Sequence, residues 1–273
     1  MTKVGIIGAG LMASQLALLF LRQYGVPVVM KDIKQEFVDK GLAYVKDELG
    51  KLVEKGRLPE IKARYLFTLV QGTLDWADFK DCDIVIEAVF EEMELKQRVF
   101  GEAEEVVSDT CILATNTSSL SVTEMASNLK YSERVVGLHF FNPVAVLPLV
   151  EVIRGEQTND VTLATAFASA KTLRKTGILV KDSPAFLVNR LLTKMLVECL
   201  AVVDEGADFR FVDDAILSVG LPMAPFELLG MVGPVVAAHV QETLNRAFGP
   251  QRFPVNENLK RLVAAKKPGI YVG

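Results

Sequence analysis

The chain has 273 residues, half of them hydrophobic, and a formal net charge of -4 from 30 Lys plus Arg against 34 Asp plus Glu. That acidic balance argues against nucleic acid as a bulk partner, and no apolar run reaches membrane-spanning length. Three widely spaced cysteines (Cys82, Cys111, Cys199) and two histidines (His139, His239) without paired carboxylates point away from a disulfide framework and from a metal site. The expectation is a cytoplasmic protein of two domains, with a sheet covered on both faces and an apolar subunit interface.

Lys3 to Ile7 reads as a strand that runs directly into Gly8-Ala9-Gly10-Leu11-Met12-Ala13 and then an apolar helix. This is GxGxxA between a strand and a helix. Gly8 permits the tight turn, Gly10 lets backbone approach a pyrophosphate, and the helix start at Leu11 and Met12 faces the anion. The next strand, Val26 to Met30, leads to Asp32, placed to accept ribose hydroxyls and to repel a 2′-phosphate, which favours NAD over NADP.

From Gln35 to Tyr65 apolar residues recur at three and four, which predicts a helical hairpin turning at Gly56 to Pro59. Lys51, Lys55, Arg57, Lys62 and Arg64 cluster near its tip. They form either a receiver for a phosphorylated ligand or an ordinary solvated face.

Strands are expected at Tyr65 to Val70, at Asp83 to Phe90 and at Cys111 to Thr115, with a helix from Lys96 to Val107. Glu91 and Lys96 follow the second of these strands. Asn116-Thr117-Ser118-Ser119 follows the third, either as a turn capping the helix from Val122 or as part of a site.

The strand Val135 to Leu138 delivers His139 to its carboxyl end, where open α/β sheets keep their ligand crevice. His139 is either a proton-transfer group or a core histidine bonded to backbone. Past Asn142-Pro143, Leu149 to Ile153 reads as a strand whose only charge is Glu151. A carboxylate in an apolar strand needs a partner. If the two strands pair around their loop, His139 is the nearest candidate; the alternative is a glutamate reaching an edge.

A helix at Thr162 to Lys175 and a strand at Ile178 to Val180 complete the first domain, 1–182. Ser183-Pro184 is expected to cap a long helix running to about Glu205. Only helices follow, near Phe211 to Ser218, Pro225 to Leu229, Pro234 to Ala247 and Asn256 to Ala264, so residues 183–273 form an all-α domain. Asn189, in an apolar row with Ala185, Leu192, Leu196 and Leu200, is an amide that must bond to something, and substrate is one choice.

Taken together the chain resembles the NAD-dependent L-3-hydroxyacyl-CoA dehydrogenases of fatty-acid β-oxidation over nearly its whole length. The segments that carry the likeness are GAGLMA with Asp32, IEAVFEEMELK, ATNTSSL, GLHFFNPV, LVEVIRG, KDSPAFLVNRLL and GLPMAPFELL. The hairpin and EAVFEEMELKQRVF look most like the dehydrogenase portion of the multifunctional β-oxidation α subunit.

The resemblance implies a Rossmann-like, mostly parallel sheet with an inserted helical hairpin, followed by the all-α domain. It implies His139 as general base or acid, Glu151 as its orienting partner, and Ser118 and Asn189 on the reacting oxygen and thioester. Asn142 would lie beside the substrate. Nucleotide contacts would fall on Gly8, Gly10, Leu11, Met12, Asp32, Glu91, Lys96 and Asn116, and CoA phosphate near Lys55. The implied cofactor is NAD, the substrate an acyl-CoA, and the assembly a homodimer or part of a larger β-oxidation complex. Ala185, Ala224, Gly230 and Pro148 depart from the family's usual residues. The closing KPGIYVG is a reduced form of its last segment, with Tyr271 as the expected equivalent of that segment's tyrosine. Two other readings remain: a dehydrogenase of a non-CoA hydroxy acid, and an idle NAD-binding structural protein.

Overall fold

The computed structural model describes residues 1–271. The chain forms two compact units, Met1–Asp182 and Ser183–Gly273.

The first unit begins β1 (Val4–Ile7), α1 (Leu11–Tyr24), β2 (Val28–Lys31), the units of a nucleotide-binding turn. The hairpin follows as α2 (Gln35–Glu54) and α3 (Glu60–Thr68), then β3 (Val70–Thr73). Next come β4 (Ile84–Glu87), α4 (Met93–Glu104), β5 (Ile112–Thr115), α5 (Val122–Ala126), β6 (Val135–Phe140), β7 (Leu149–Arg154), α6 (Asp160–Thr172) and β8 (Thr176–Lys181).

The eight strands lie in the order β3-β2-β1-β4-β5-β6-β7-β8. Every pairing is parallel except β6 with β7, which the loop 141–148 joins as antiparallel neighbours. β1, β2, β4, β5 and β6 are buried along their whole length, which explains why they read as continuous apolar runs and not as alternating ones. Strand order reverses between β1 and β4, so the carboxyl ends of β1, β4, β5 and β6 converge on the switch-point crevice.

Several boundaries differ from expectation. Tyr65 to Thr68 is the end of α3, not a strand. Arg64 bonds Glu60 one turn back, and β3 must start at Val70 to meet Val28 of β2 in register. The aromatic content of Tyr65-Leu66-Phe67 imitates a strand, but the strand's position is set by the pairing. The helix expected from Lys96 starts three residues earlier, after the extended Glu92.

The second unit contains α7 (Val188–Asp204), α8 (Phe209–Ser218), α9 (Pro225–Val232), α10 (Pro234–Phe248) and α11 (Glu257–Ala264). Leu196, Leu200, Val212, Phe226, Leu229 and Leu259 fill its core. Pro225 and Pro234 each occupy a first helical position, where the missing N–H costs nothing. Ser183-Pro184 does not cap α7. Ala185 and Phe186 adopt left-handed conformations (φ 57° and 46°), which no helix start tolerates, and the helix begins at Val188. The Ser183 hydroxyl instead accepts from Arg190 at 2.6 Å. Asp213, buried, accepts from the Phe226 N–H at 3.0 Å and from the Tyr271 hydroxyl at 2.5 Å, so Tyr271 ties the chain's end to α8. Burial and the Asp213 carboxylate both raise the Tyr271 pKa. The last two residues of KPGIYVG lie outside the described residues.

Candidate active site

At the end of β1 the Gly-rich turn places Gly8 at φ 109°, where an added Cβ would stand 2.8 Å from the Ala88 carbonyl oxygen. Gly8 is therefore required by the protein itself. Gly10 is different: its φ is -71°, and an added Cβ would meet nothing within 4 Å. No protein atom demands a glycine there, and the space in front of it opens at the start of α1. No side chain caps that helix end, and its first turn holds no acidic residue. An anion at that place meets the unsatisfied N–H groups of the helix end. Asp32 stands beside the turn, accepting from the Ala9 N–H at 2.8 Å and the Ile33 N–H at 2.7 Å.

Two carboxylates hold the segment that carries Ser118. Glu91 accepts from the Thr117 hydroxyl (2.7 Å), the Ser118 N–H (2.8 Å) and hydroxyl (3.1 Å), and the Ser119 N–H (3.1 Å) and hydroxyl (3.2 Å). Burial would raise the Glu91 pKa, but the Lys96 charge and the bonds from Thr117 and Ser118 outweigh it and hold the group below its usual value. At the other end of the segment, Asp182 accepts from the Ser121 hydroxyl (2.8 Å), the Val122 N–H (3.1 Å) and the Thr123 N–H (2.8 Å).

Beneath Glu91 lies a buried charge pair. Lys96, 1% exposed, donates to both oxygens of Glu87 at 2.7 and 2.9 Å and lies 3.3 Å from Glu91. Glu87 also accepts from Thr115. The Lys96 ammonium is thus turned into the protein, toward the two glutamates. Asn116 bridges strands: its N–H donates to the Glu87 carbonyl, and its side-chain oxygen accepts from the Phe140 N–H at 2.9 Å, next to His139.

His139 is opposite Glu151 in the β6–β7 register, and its Nδ1 lies 2.7 Å from Glu151 Oε2. Glu151 is wholly buried. A carboxylate only accepts, so the proton of this bond belongs to Nδ1, and Nε2 is the basic nitrogen of the ring. The Phe141 ring tilts against the imidazole at 4.4 Å between centroids. One residue on, exposed Asn142 bonds through Oδ1 to Gln15 Nε2 of α1 at 2.9 Å.

In the hairpin, Lys51 pairs with Asp47 and Glu48, and Arg64 with Glu60, so part of the basic spot is neutralised on its own helices. Lys55, at the end of α2, is exposed with Arg57 and Lys62. In the second unit Asn189 sits in the first turn of α7.

Sequence reasoning did not find Gln15 or Asp182. The signal for Gln15 was an amide in the otherwise apolar run of α1, and Asp182 offered none beyond its place after a strand. All three cysteines are buried, and burial pushes the thiols of Cys82 and Cys111 up to about 12.

Residues 3–183 match the model of the 3-hydroxyacyl-CoA dehydrogenase NAD-binding domain, and residues 186–272 that of the family's C-terminal domain. The chain belongs to the 3-hydroxyacyl-CoA dehydrogenase family. Its first unit matches the family's NAD-binding domain, and the open cradle at Gly10 with Asp32 beside it fits a dinucleotide.

Among similar proteins, the fatty acid oxidation complex subunit alpha of Idiomarina loihiensis is 42% identical over 97% of this chain, and that of Pseudomonas putida 41% over 92%. The chain spans only 37% and 35% of those relatives' lengths. The crystal structure of (S)-3-hydroxybutyryl-CoA dehydrogenase from Ralstonia eutropha is 37% identical, with a TM-score of 0.94 over 100% of this chain and 95% of that one. Among the described residues no helix is long and apolar enough to cross a membrane, and no cluster of three or more His, Cys, Asp or Glu could hold a metal ion.

Proposed function

We propose that the chain interconverts L-3-hydroxyacyl-CoA and 3-ketoacyl-CoA, with His139 as the proton-transfer group, as a step of fatty-acid β-oxidation. The observation that carries this reading is the 2.7 Å bond from His139 Nδ1 to the buried Glu151 carboxylate, which leaves Nε2 as the base at the end of β6. NAD, held by the Gly-rich turn and Asp32, would supply the hydride acceptor for C3 of the substrate. His139 Nε2 removes the 3-hydroxyl proton, and Glu151 stabilises the imidazolium that results; reduction of the ketone uses the same groups in reverse.

Ser118 donates its hydroxyl to the substrate oxygen. It can do so because Glu91 keeps four other donors when that hydroxyl rotates away. Asn189 takes the same oxygen or the thioester, an assignment that rests on the family likeness. Gly8, Gly10, Leu11, Met12 and Asp32 hold the dinucleotide, while Asn116, Glu91 and Lys96 shape its nicotinamide end. Lys96 acts there through the two glutamates. Lys55 meets CoA phosphate, with the neighbouring exposed cations in support.

The protein works in the cytoplasm as a homodimer or within a larger β-oxidation assembly. Exposed Phe211, Val219, Met231 and Val235 on the second unit support an apolar subunit contact, and the relatives named as oxidation-complex subunits support the assembly.

The test is NADH oxidation with acetoacetyl-CoA compared with free acetoacetate. Turnover with the thioester and a large loss with the free acid support the reading. Equal use of both assigns a non-CoA hydroxy acid, and use of neither assigns a non-catalytic protein.

A further inference from the structure

We infer that Gln15 is a positioning residue that sets which end of the Asn142 amide faces the reacting ligands. The argument rests on the functional reading above and begins with a group whose polarity is unambiguous. The Val144 backbone N–H can only donate, and it donates to Gln15 Oε1 at 2.7 Å. With its oxygen fixed there, Gln15 turns Nε2 toward Asn142 and needs an acceptor, which Asn142 Oδ1 supplies at 2.9 Å. Asn142 therefore faces Gln15 with its oxygen, which keeps its NH₂ as the group this exposed residue can offer a ligand.

The frame around this relay is rigid. Gln15 is only 8% exposed, in the second turn of the helix that begins at the Gly-rich loop, and Val144 is buried. The Lys175 ammonium donates to the carbonyls of Val144 and Leu147 and holds the same loop from its other side. Asn142 lies three residues after His139, in the loop that leaves the carboxyl end of β6. An NH₂ presented there recognises a carbonyl oxygen. Such oxygens belong to both ligands of this reaction: the carboxamide of the nicotinamide, and the 3-keto and thioester carbonyls of the substrate. Gln15 thus couples the cofactor helix to the loop that follows the catalytic histidine.

Gln15→Glu tests the idea with little change in shape. Its carboxylate still accepts from Val144, but it cannot donate to Asn142, so Asn142 turns its NH₂ inward and its oxygen outward. At pH 8 the variant should keep its melting temperature within about 3 °C, while affinity falls about tenfold for the ligand whose carbonyl Asn142 serves, the value of one polar contact.

Fluorescence titration with NADH reads the dinucleotide arm, and KM for acetoacetyl-CoA at saturating NADH reads the thioester arm. A rise in the first assigns the nicotinamide carboxamide, and a rise in the second assigns the substrate. The side-chain ¹⁵N–¹H signals of Asn142 should shift with that ligand in the parent and lose the shift in Gln15→Glu. NADH binding and acetoacetyl-CoA kinetics both within twofold of the parent overturn the inference. A parent that does not turn over acetoacetyl-CoA defeats the functional reading instead, and the NADH titration and amide signals still judge Gln15.

Discussion

His139 and Glu151 are cross-strand partners in the antiparallel β6–β7 pair, joined by a 2.7 Å bond from which solvent is excluded at the carboxylate. The pair combines orientation with charge. The carboxylate selects the ring tautomer that leaves Nε2 basic, and it compensates the positive charge the ring acquires on taking a proton.

Glu151→Gln keeps the size of the side chain and removes the charge. Turnover should fall by about 10²- to 10⁴-fold, with NADH affinity unchanged, because the amide no longer enforces the tautomer or stabilises the imidazolium. Steady-state kinetics beside an NADH titration check both parts.

Glu87 and Lys96 should behave as a buried pair. Lys96→Met leaves Glu87 charged and short of its main donor, at a cost of about 3–5 kcal/mol. Adding Glu87→Gln should recover much of that loss. Urea unfolding of the two variants decides, and a single variant as stable as the parent would contradict the assignment.

Gly8 and Gly10 should separate folding from binding. Gly8→Ala meets the Ala88 carbonyl at a strained φ and should destabilise by about 1–3 kcal/mol. Gly10→Ala has open space and ordinary backbone, so stability should stay within about 0.5 kcal/mol while NADH affinity drops. Thermal melts with and without NADH distinguish the two.

Glu91 carries a depressed pKa in the folded state, so its contribution to stability is fully present above the ordinary glutamate range and is lost as pH falls through the lowered value. Glu91→Gln should be less stable than the parent at neutral pH, with the difference narrowing as the pH falls through that range. Chemical denaturation at several pH values measures it. A gap that widens on acidification would contradict the sign.

The parts of the site visible in the sequence were those with local signatures. Gly8, Gly10 and Asp32 stand at a fixed spacing between regular elements, and Glu151 was conspicuous as the lone charge in the apolar run Leu149 to Ile153. Only a short loop separates its strand from that of His139, which made His139 the nearest candidate partner if the two strands paired. Gln15 stands out as an amide in α1, but its contact was not legible, because its partner Asn142 lies 127 residues away. Asp182 reaches back 59 to 61 residues to Ser121, Val122 and Thr123 for the same reason. The misplaced strand at Tyr65 and the missing cap at Ser183 are failures of local propensity. Pairing with β2 decided the first, and two left-handed residues decided the second.

The most direct measurement is the turnover of His139→Gln with acetoacetyl-CoA and NADH, beside the parent and with NADH binding measured on the same samples. The account predicts a loss of about 10²- to 10⁴-fold in turnover with NADH bound as in the parent. Turnover within a few-fold of the parent would show that His139 is not the proton-transfer group.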